Sequence, residues 1–116
     1  FDVVSCFSTA KWVHLNFGDE GLRTLFRRAY ACLRPGGLFL LEPQPWSSYR
    51  KRMHLTPAIS RNFRDIQLRP PVFSELLTSH EVGFASAQQV EVPYGTGTGI
   101  GANFRRRPLI IAWKAA

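Results

Sequence analysis

Apolar positions fall into two rhythms along this chain. From Phe1 to Phe7 and again from Leu38 to Leu41 they run almost without a break, and with Val3 and Val4 β-branched such runs read as strands covered on both faces. Between them Leu22, Leu25, Phe26, Ala29 and Leu33 recur at spacings of three and four, the pattern of a helix with one buried face. Asp19 and Glu20 stand where a helix amino terminus favours negative charge, and Arg23, Arg27 and Arg28 fall on the outer face. Arg34-Pro35-Gly36-Gly37 ends the helix. Strand, helix and strand make a βαβ unit, for which a parallel pair with a right-handed crossover is strongly favoured. Both carboxyl ends then share one edge, where open α/β sheets bind ligands. Ser8 to Asn16 reads as a polar loop or short helix, and Ser8 to His14 and the segment from Glu42 to Tyr49 are therefore expected to lie on the same side of the sheet.

Pro43-Gln44-Pro45-Trp46-Ser47-Ser48-Tyr49 reads as a rigid polar loop, its prolines fixing backbone angles and its aromatics offering stacking faces with polar tips. Beyond it Thr56-Pro57 is an N-cap followed by the residue favoured at the first helical position, predicting a helix through about Phe63. Gln67-Leu68-Arg69-Pro70-Pro71 breaks the pattern, and Val72 to Thr78 resumes it with Phe73, Leu76 and Leu77 on one side. Ala87 to Val92 and Leu109 to Trp113 read as strands of an antiparallel hairpin at the sheet edge. The glycines at 95, 97, 99 and 101 precede a strand and no helix, so they suit a hairpin loop better than a phosphate cradle.

At 116 residues the chain is one domain or part of one, and 45% apolar content marks it as folded. Fifteen Lys and Arg against eight Asp and Glu leave a net charge of +7, which fits an anionic partner such as nucleic acid or an ordinary basic surface equally well. Cys6 and Cys32 have no metal-ligand spacing and stand in apolar contexts, as buried reduced thiols would. No signal peptide or membrane-length apolar run occurs, so a soluble protein is expected. Because Phe1 to Phe7 already looks like the middle of a sheet, the chain is expected to be cut from a longer one, leaving an exposed edge and apolar surface.

STAKWVHLNFGDEGL at Ser8 to Leu22, with LRPGGLFLLEPQPWSSY at Leu33 to Tyr49 and the basic run Arg50-Lys51-Arg52 after it, resembles the bicoid-interacting-3 family of methyltransferases. The resemblance is densest in the first 55 residues, persists through Ile66-Gln67-Leu68 and Glu81-Val82-Gly83-Phe84, and fades at the glycine-rich loop. It implies an α/β fold, the carboxyl-terminal half of a class I (Rossmann-like) S-adenosyl-L-methionine-dependent methyltransferase, in which a βαβ unit and helices end in an antiparallel strand pair. The glycine loop and acidic strand end that hold the cofactor in such folds have no counterpart here, so residues 1–116 are expected to be a partial domain, inactive alone.

The activity implied is transfer of a methyl group to the terminal (γ) 5' phosphate of a small RNA, with RNA-binding proteins as further partners, a nuclear location and no metal. An anionic phosphate oxygen needs charge neutralisation and alignment more than a strong base. Lys11, which alone would read as a solvated lysine, matches the family's Thr-Lys-Trp position and becomes the expected catalytic phosphate contact. By the same resemblance Phe7 and Ser8 approach the cofactor, while Trp46, Tyr49, Lys51 and Arg52 meet the RNA by stacking, hydroxyl and phosphate contacts. Plain packing of the proline loop explains Trp46 and Tyr49 equally well. Trp12 either packs the loop or stacks on a base, and His14 reads as a hydrogen-bonded structural histidine in preference to a general base. Asn16 reads as fixing the turn. Glu42 either orients a ligand hydroxyl or pairs with an arginine, and is not assigned a catalytic role. Two other readings stay open: a methyltransferase for a 5' monophosphate end or a small molecule, and a non-catalytic RNA-binding module.

Overall fold

The computed structural model describes residues 1–94 and 105–116. β1 (Val3–Cys6) pairs in parallel with β2 (Leu38–Leu41) in a register that sets Val3 against Leu38 and Cys6 against Leu41. Between them runs α1 (Ala10–Cys32), completing the expected βαβ unit. The chain then forms α2 (Trp46–Arg50), α3 (Pro57–Asp65), a 3-10 turn at Pro70–Val72 and α4 (Phe73–Thr78). Two antiparallel strands close it, β3 (Ser86–Tyr94) and β4 (Arg105–Trp113). The sheet order is β1-β2-β4-β3, so the last strand inserts beside β2 and the hairpin's other arm forms the edge. The expected α/β class is found, with a parallel pair followed by an antiparallel one. The reading of the glycines from 95 to 101 lies outside the described residues.

α1 buries Leu22, Phe26, Ala29 and Leu33 against the sheet, the face its spacing predicted, with Leu25 only partly covered. Phe26 meets Phe39 and Phe73 edge-on, and Phe39 stacks on Phe84. This is the main core. A second, smaller one gathers Leu15, Tyr49, Ile59 and Ile66, with Trp46 and Phe63 against it. It ties the start of α1 to α2 and α3, and it lies beneath the loops at the sheet's carboxyl edge. Thr56 caps α3 as its sequence position suggested, its hydroxyl accepting from the Ile59 amide at 3.0 Å.

Several expectations are corrected. β1 was expected to be largely buried, yet of Val3 to Cys6 only Cys6 is buried, and Phe1, Val3 and Phe7 are exposed. The strand is outermost in the sheet, so among the described residues nothing covers its free side. Cys32 is exposed, not buried. It precedes the buried Leu33 by one position, about 100° round the helix from the packed face. Cys6 is buried as expected, and burial raises its thiol pKa. The proline loop contains a helical turn, α2, entered through an extended Pro45. Arg23 and Arg27 do face outward, where they pair with Glu20 and Glu81.

Helix α1 is two segments joined at Gly18, whose φ of 71° and ψ of −165° lie in a region essentially reserved for glycine. The break turns the first two turns of helix toward the site while the longer segment stays on the sheet. Gly18→Ala is expected to lower stability by about 1–3 kcal/mol, read as a fall in the urea midpoint at unchanged slope.

Candidate functional site

The carboxyl ends of β1 and β2 are locked together by the Glu42 amide, which donates to the Cys6 carbonyl at 2.9 Å. Directly beyond, the Ser8 hydroxyl donates to the Glu42 carboxylate at 2.8 Å, and the Gln44 amide donates to the same oxygen at 3.1 Å. Ser8 has a φ of 58°, the only positive value among the described non-glycine residues. Such strain persists only where surrounding contacts hold it, and the Glu42 hydrogen bond is one of them. Phe7, just before it, leaves about half its surface open, 52%. Pro43 to Trp46 form one wall of an open pocket of about 470 Å³, whose far wall is Pro70, Pro71, Gln89 and Pro108.

Lys11 lies in the first turn of α1 and donates from Nζ to the Ser48 hydroxyl on α2 at 2.9 Å. Its Nζ also sits 4.9 Å from the Trp12 ring centre. Burial lowers the Lys11 pKa first, and the charges of Arg52 and Lys51 lower it further. The basic run has therefore folded back toward the strand ends. None of Arg50, Lys51 and Arg52 has an acidic partner among the described residues. Cations that repel one another without an acid between them make a place where an anion is stabilised.

Beneath this surface is a buried polar chain. His14 has no exposed surface, its Nδ1 lies 2.9 Å from the Tyr49 hydroxyl and its Nε2 lies 2.7 Å from Asp19 Oδ1. A carboxylate only accepts, so Nε2 carries the proton and Nδ1 accepts from Tyr49. The other Asp19 oxygen takes the Gln67 amide at 2.9 Å. Burial lowers the His14 pKa, and Asp19 offsets part of that. Burial alone would raise the Asp19 carboxyl, but hydrogen bonds from His14, Gln67 and Leu68 together hold it below its usual range. Burial, with the Asp19 charge adding to it, pushes the Tyr49 phenol well above its ordinary value. His14 is thus neutral at neutral pH.

The whole of this geometry falls within a sequence match to Bicoid-interacting protein 3 that spans residues 1–114. The chain belongs to the Bicoid-interacting protein 3 family. It is 55% identical to the mouse 7SK snRNA methylphosphate capping enzyme over 115 residues, which is 99% of this chain and 16% of that protein. Identity to the Drosophila U6 snRNA methylphosphate capping enzyme Amus is 44% over 99% of this chain and 37% of the fly protein. A third relative, the Xenopus pre-miRNA 5'-monophosphate methyltransferase, is 47% identical over 51 residues, 43% of this chain and 18% of its own. The chain therefore spans well under half the length of these relatives.

Within this family member the expected site residues separate into two groups. Lys11, Lys51 and Arg52 come together, and Phe7 and Ser8 stand at the strand end beside them. Tyr49 is corrected: it is fully buried with its hydroxyl on His14, so it offers no stacking face to a ligand. Trp46 is largely committed to packing, stacked on Phe63 at 4.8 Å and on Tyr49 at 5.1 Å, with the Arg69 guanidinium 4.5 Å from its ring centre. His14 is the hydrogen-bonded histidine expected. Asn16, expected to fix a turn, lies instead in the first segment of α1, where its side-chain amide donates to the Trp12 carbonyl at 2.8 Å. Ser48 and Arg69 were not singled out from sequence, and Asp19 only as an acid at a helix amino terminus. His14 and Asp19, five positions apart across a glycine, were the available signal for the first buried pair. Nothing in the sequence pointed to Arg69. Among the described residues no group of three or more His, Cys, Asp or Glu could hold a metal, and no helix is long and apolar enough to cross a membrane.

The His14 shift fixes a pH dependence. Its folded pKa lies below the unfolded value of about 6.5, so the unfolded state gains a proton first as pH falls. The stability is fully present above about pH 6.5 and is lost progressively as pH drops toward the folded pKa. Thermal midpoints are expected to fall between about pH 7.5 and about pH 5.5, and His14→Asn is expected to lose most of that slope. Equal slopes in both proteins would contradict the assignment.

Proposed function

We propose that this chain is the carboxyl-terminal part of an S-adenosylmethionine-dependent methyltransferase domain that methylates the terminal 5' phosphate of a small RNA. The observation that carries the reading is the convergence of Lys11, Lys51 and Arg52, without an acid among them, at the carboxyl edge of the parallel strand pair. The names of the relatives support it, two of them as snRNA methylphosphate capping enzymes that match nearly the whole chain.

The residues present fit one side of the methyl donor's site. Phe7 leaves an aromatic face open, and the adjacent Ser8 backbone is held in the left-handed region by its hydrogen bond to Glu42. S-adenosylmethionine, when bound, supplies an electrophilic methyl group. Lys11 neutralises and orients the accepting phosphate, with Ser48 fixing the direction of its ammonium. Lys51 and Arg52 hold the remaining phosphate charge. The attacking oxygen is already anionic, so no side chain has to remove a proton. His14, closed in its buried chain, is free of that task, and Glu42 serves as the anchor of Ser8 and Gln44. Trp46 contributes whatever edge its packing leaves toward the pocket. The snRNA substrates named for the relatives favour a nuclear protein working with RNA-binding partners.

A 5' monophosphate acceptor is the second reading, favoured by the similarity to the pre-miRNA enzyme around these motifs. The number of converging cations supports the more highly charged triphosphate end. In the full-length protein Lys11→Ala is expected to reduce methyl transfer to triphosphate-ended RNA about a hundredfold at saturating methyl donor. Unchanged turnover would remove Lys11 from the mechanism. Lys51→Ala and Arg52→Ala should each weaken RNA binding and reduce the salt slope by about one, measured by titration at several salt concentrations.

A further inference from the structure

Two hydrogen bonds run side by side between α1 and α2. Lys11 and His14 are three positions apart on α1, hence neighbours on one helical face, and their partners Ser48 and Tyr49 are adjacent on α2. The outer bond, Lys11 to Ser48, joins a flexible cation to a small hydroxyl at a half-buried position. Lysine carries much rotamer entropy, and Arg52 and Lys51 push its charge away. Nothing in that outer bond alone would hold the ammonium in one place.

The inner bond is built to stay made. Tyr49 and His14 are both without exposed surface, their rings meet edge-on at 5.3 Å, and His14 is fixed from its other nitrogen by Asp19. Asp19 is in turn held by the Gln67 and Leu68 amides in the segment that leads to Arg69, the cation lying on Trp46. A buried hydrogen bond of this kind cannot be exchanged for water, so breaking it leaves polar groups unsatisfied. The register of α2 on α1 is thereby fixed, and with it the position of Ser48 relative to Lys11.

We propose that the buried Asp19–His14–Tyr49 chain is a positioning device that sets the Ser48 hydroxyl, and through it the Lys11 ammonium, at the phosphate-binding edge. Tyr49 acts through Lys11 and touches no substrate. The inference rests on the reading of Lys11 as a phosphate contact, and its test separates the two.

The experiment is a double-mutant cycle in the full-length protein with triphosphate-ended RNA, comparing wild type, Tyr49→Phe, Lys11→Ala and the pair. Tyr49→Phe removes one oxygen and keeps the ring. It is expected to lower kcat about tenfold with KM for S-adenosylmethionine unchanged, and to have little further effect once Lys11 is alanine. Losses that multiply in the double variant, or no loss in Tyr49→Phe, overturn the positioning role alone. Full turnover in Lys11→Ala overturns both readings. Should Tyr49→Phe melt below the assay temperature, His14→Asn and His14→Leu replace it. The asparagine amide oxygen can take the place of Nδ1 as acceptor from Tyr49, so it is expected to retain clearly more of the rate than the leucine, and equal losses overturn the proposal.

Discussion

A neutral imidazole closed between a carboxylate and a phenol is the constraint on which the upper part of this molecule depends. His14 is fully buried and satisfies both nitrogens, one on Asp19 and the other on Tyr49, through one arrangement of the nearby segments. That arrangement brings the first turns of α1 against α2, and the stretch around Gln67 against both. The small core of Leu15, Tyr49, Ile59 and Ile66 supplies the apolar burial for this assembly, and the polar chain supplies its register. Apolar contacts alone tolerate sliding, whereas hydrogen bonds in a dry interior do not.

Charge is sorted in the same structure. Arg23 and Arg27 on the exposed side of α1 are matched by Glu20 and Glu81, and Arg34 is matched by Asp2. The basic run after α2 has no such partners among the described residues. A net charge of +7 therefore understates how uneven the surface is. Arg23 and Arg27 of the long helix direct their charge onto Glu20 in the same helix and onto Glu81 in the turn after α4, while the field at the carboxyl edge of the sheet comes from Lys11 and the run from Arg50 to Arg52.

Much of the fold was legible in the sequence because its signals are local. The apolar runs at Val3 to Cys6 and Leu38 to Leu41, the spacing from Leu22 to Leu33 and the Thr56-Pro57 cap each express a rule that operates within a few residues. What could not be read depends on neighbours distant along the chain. The exposure of β1 follows from its place in the sheet, and that of Cys32 from a helical phase that only a defined packed face makes meaningful. Tyr49 illustrates the limit at the site: an aromatic with a polar tip suits a ligand or a buried partner equally, and His14, thirty-five positions away, decides between them. Lys11 was singled out through its motif, whereas its hydrogen-bond partner Ser48 became visible only in the folded chain.

The break at Gly18 bears on how such a site can change over time. In an unbroken helix every residue's direction is tied to every other's, at about 100° per position, so any adjustment of Lys11 would be carried into the turns that pack Leu22 and Phe26. The glycine uncouples the two phases. Substitutions in the short segment can therefore rotate or shift its cation without being carried by helical phase into the turns seated on the sheet, within the limit set by the His14–Asp19 hydrogen bond that crosses the break.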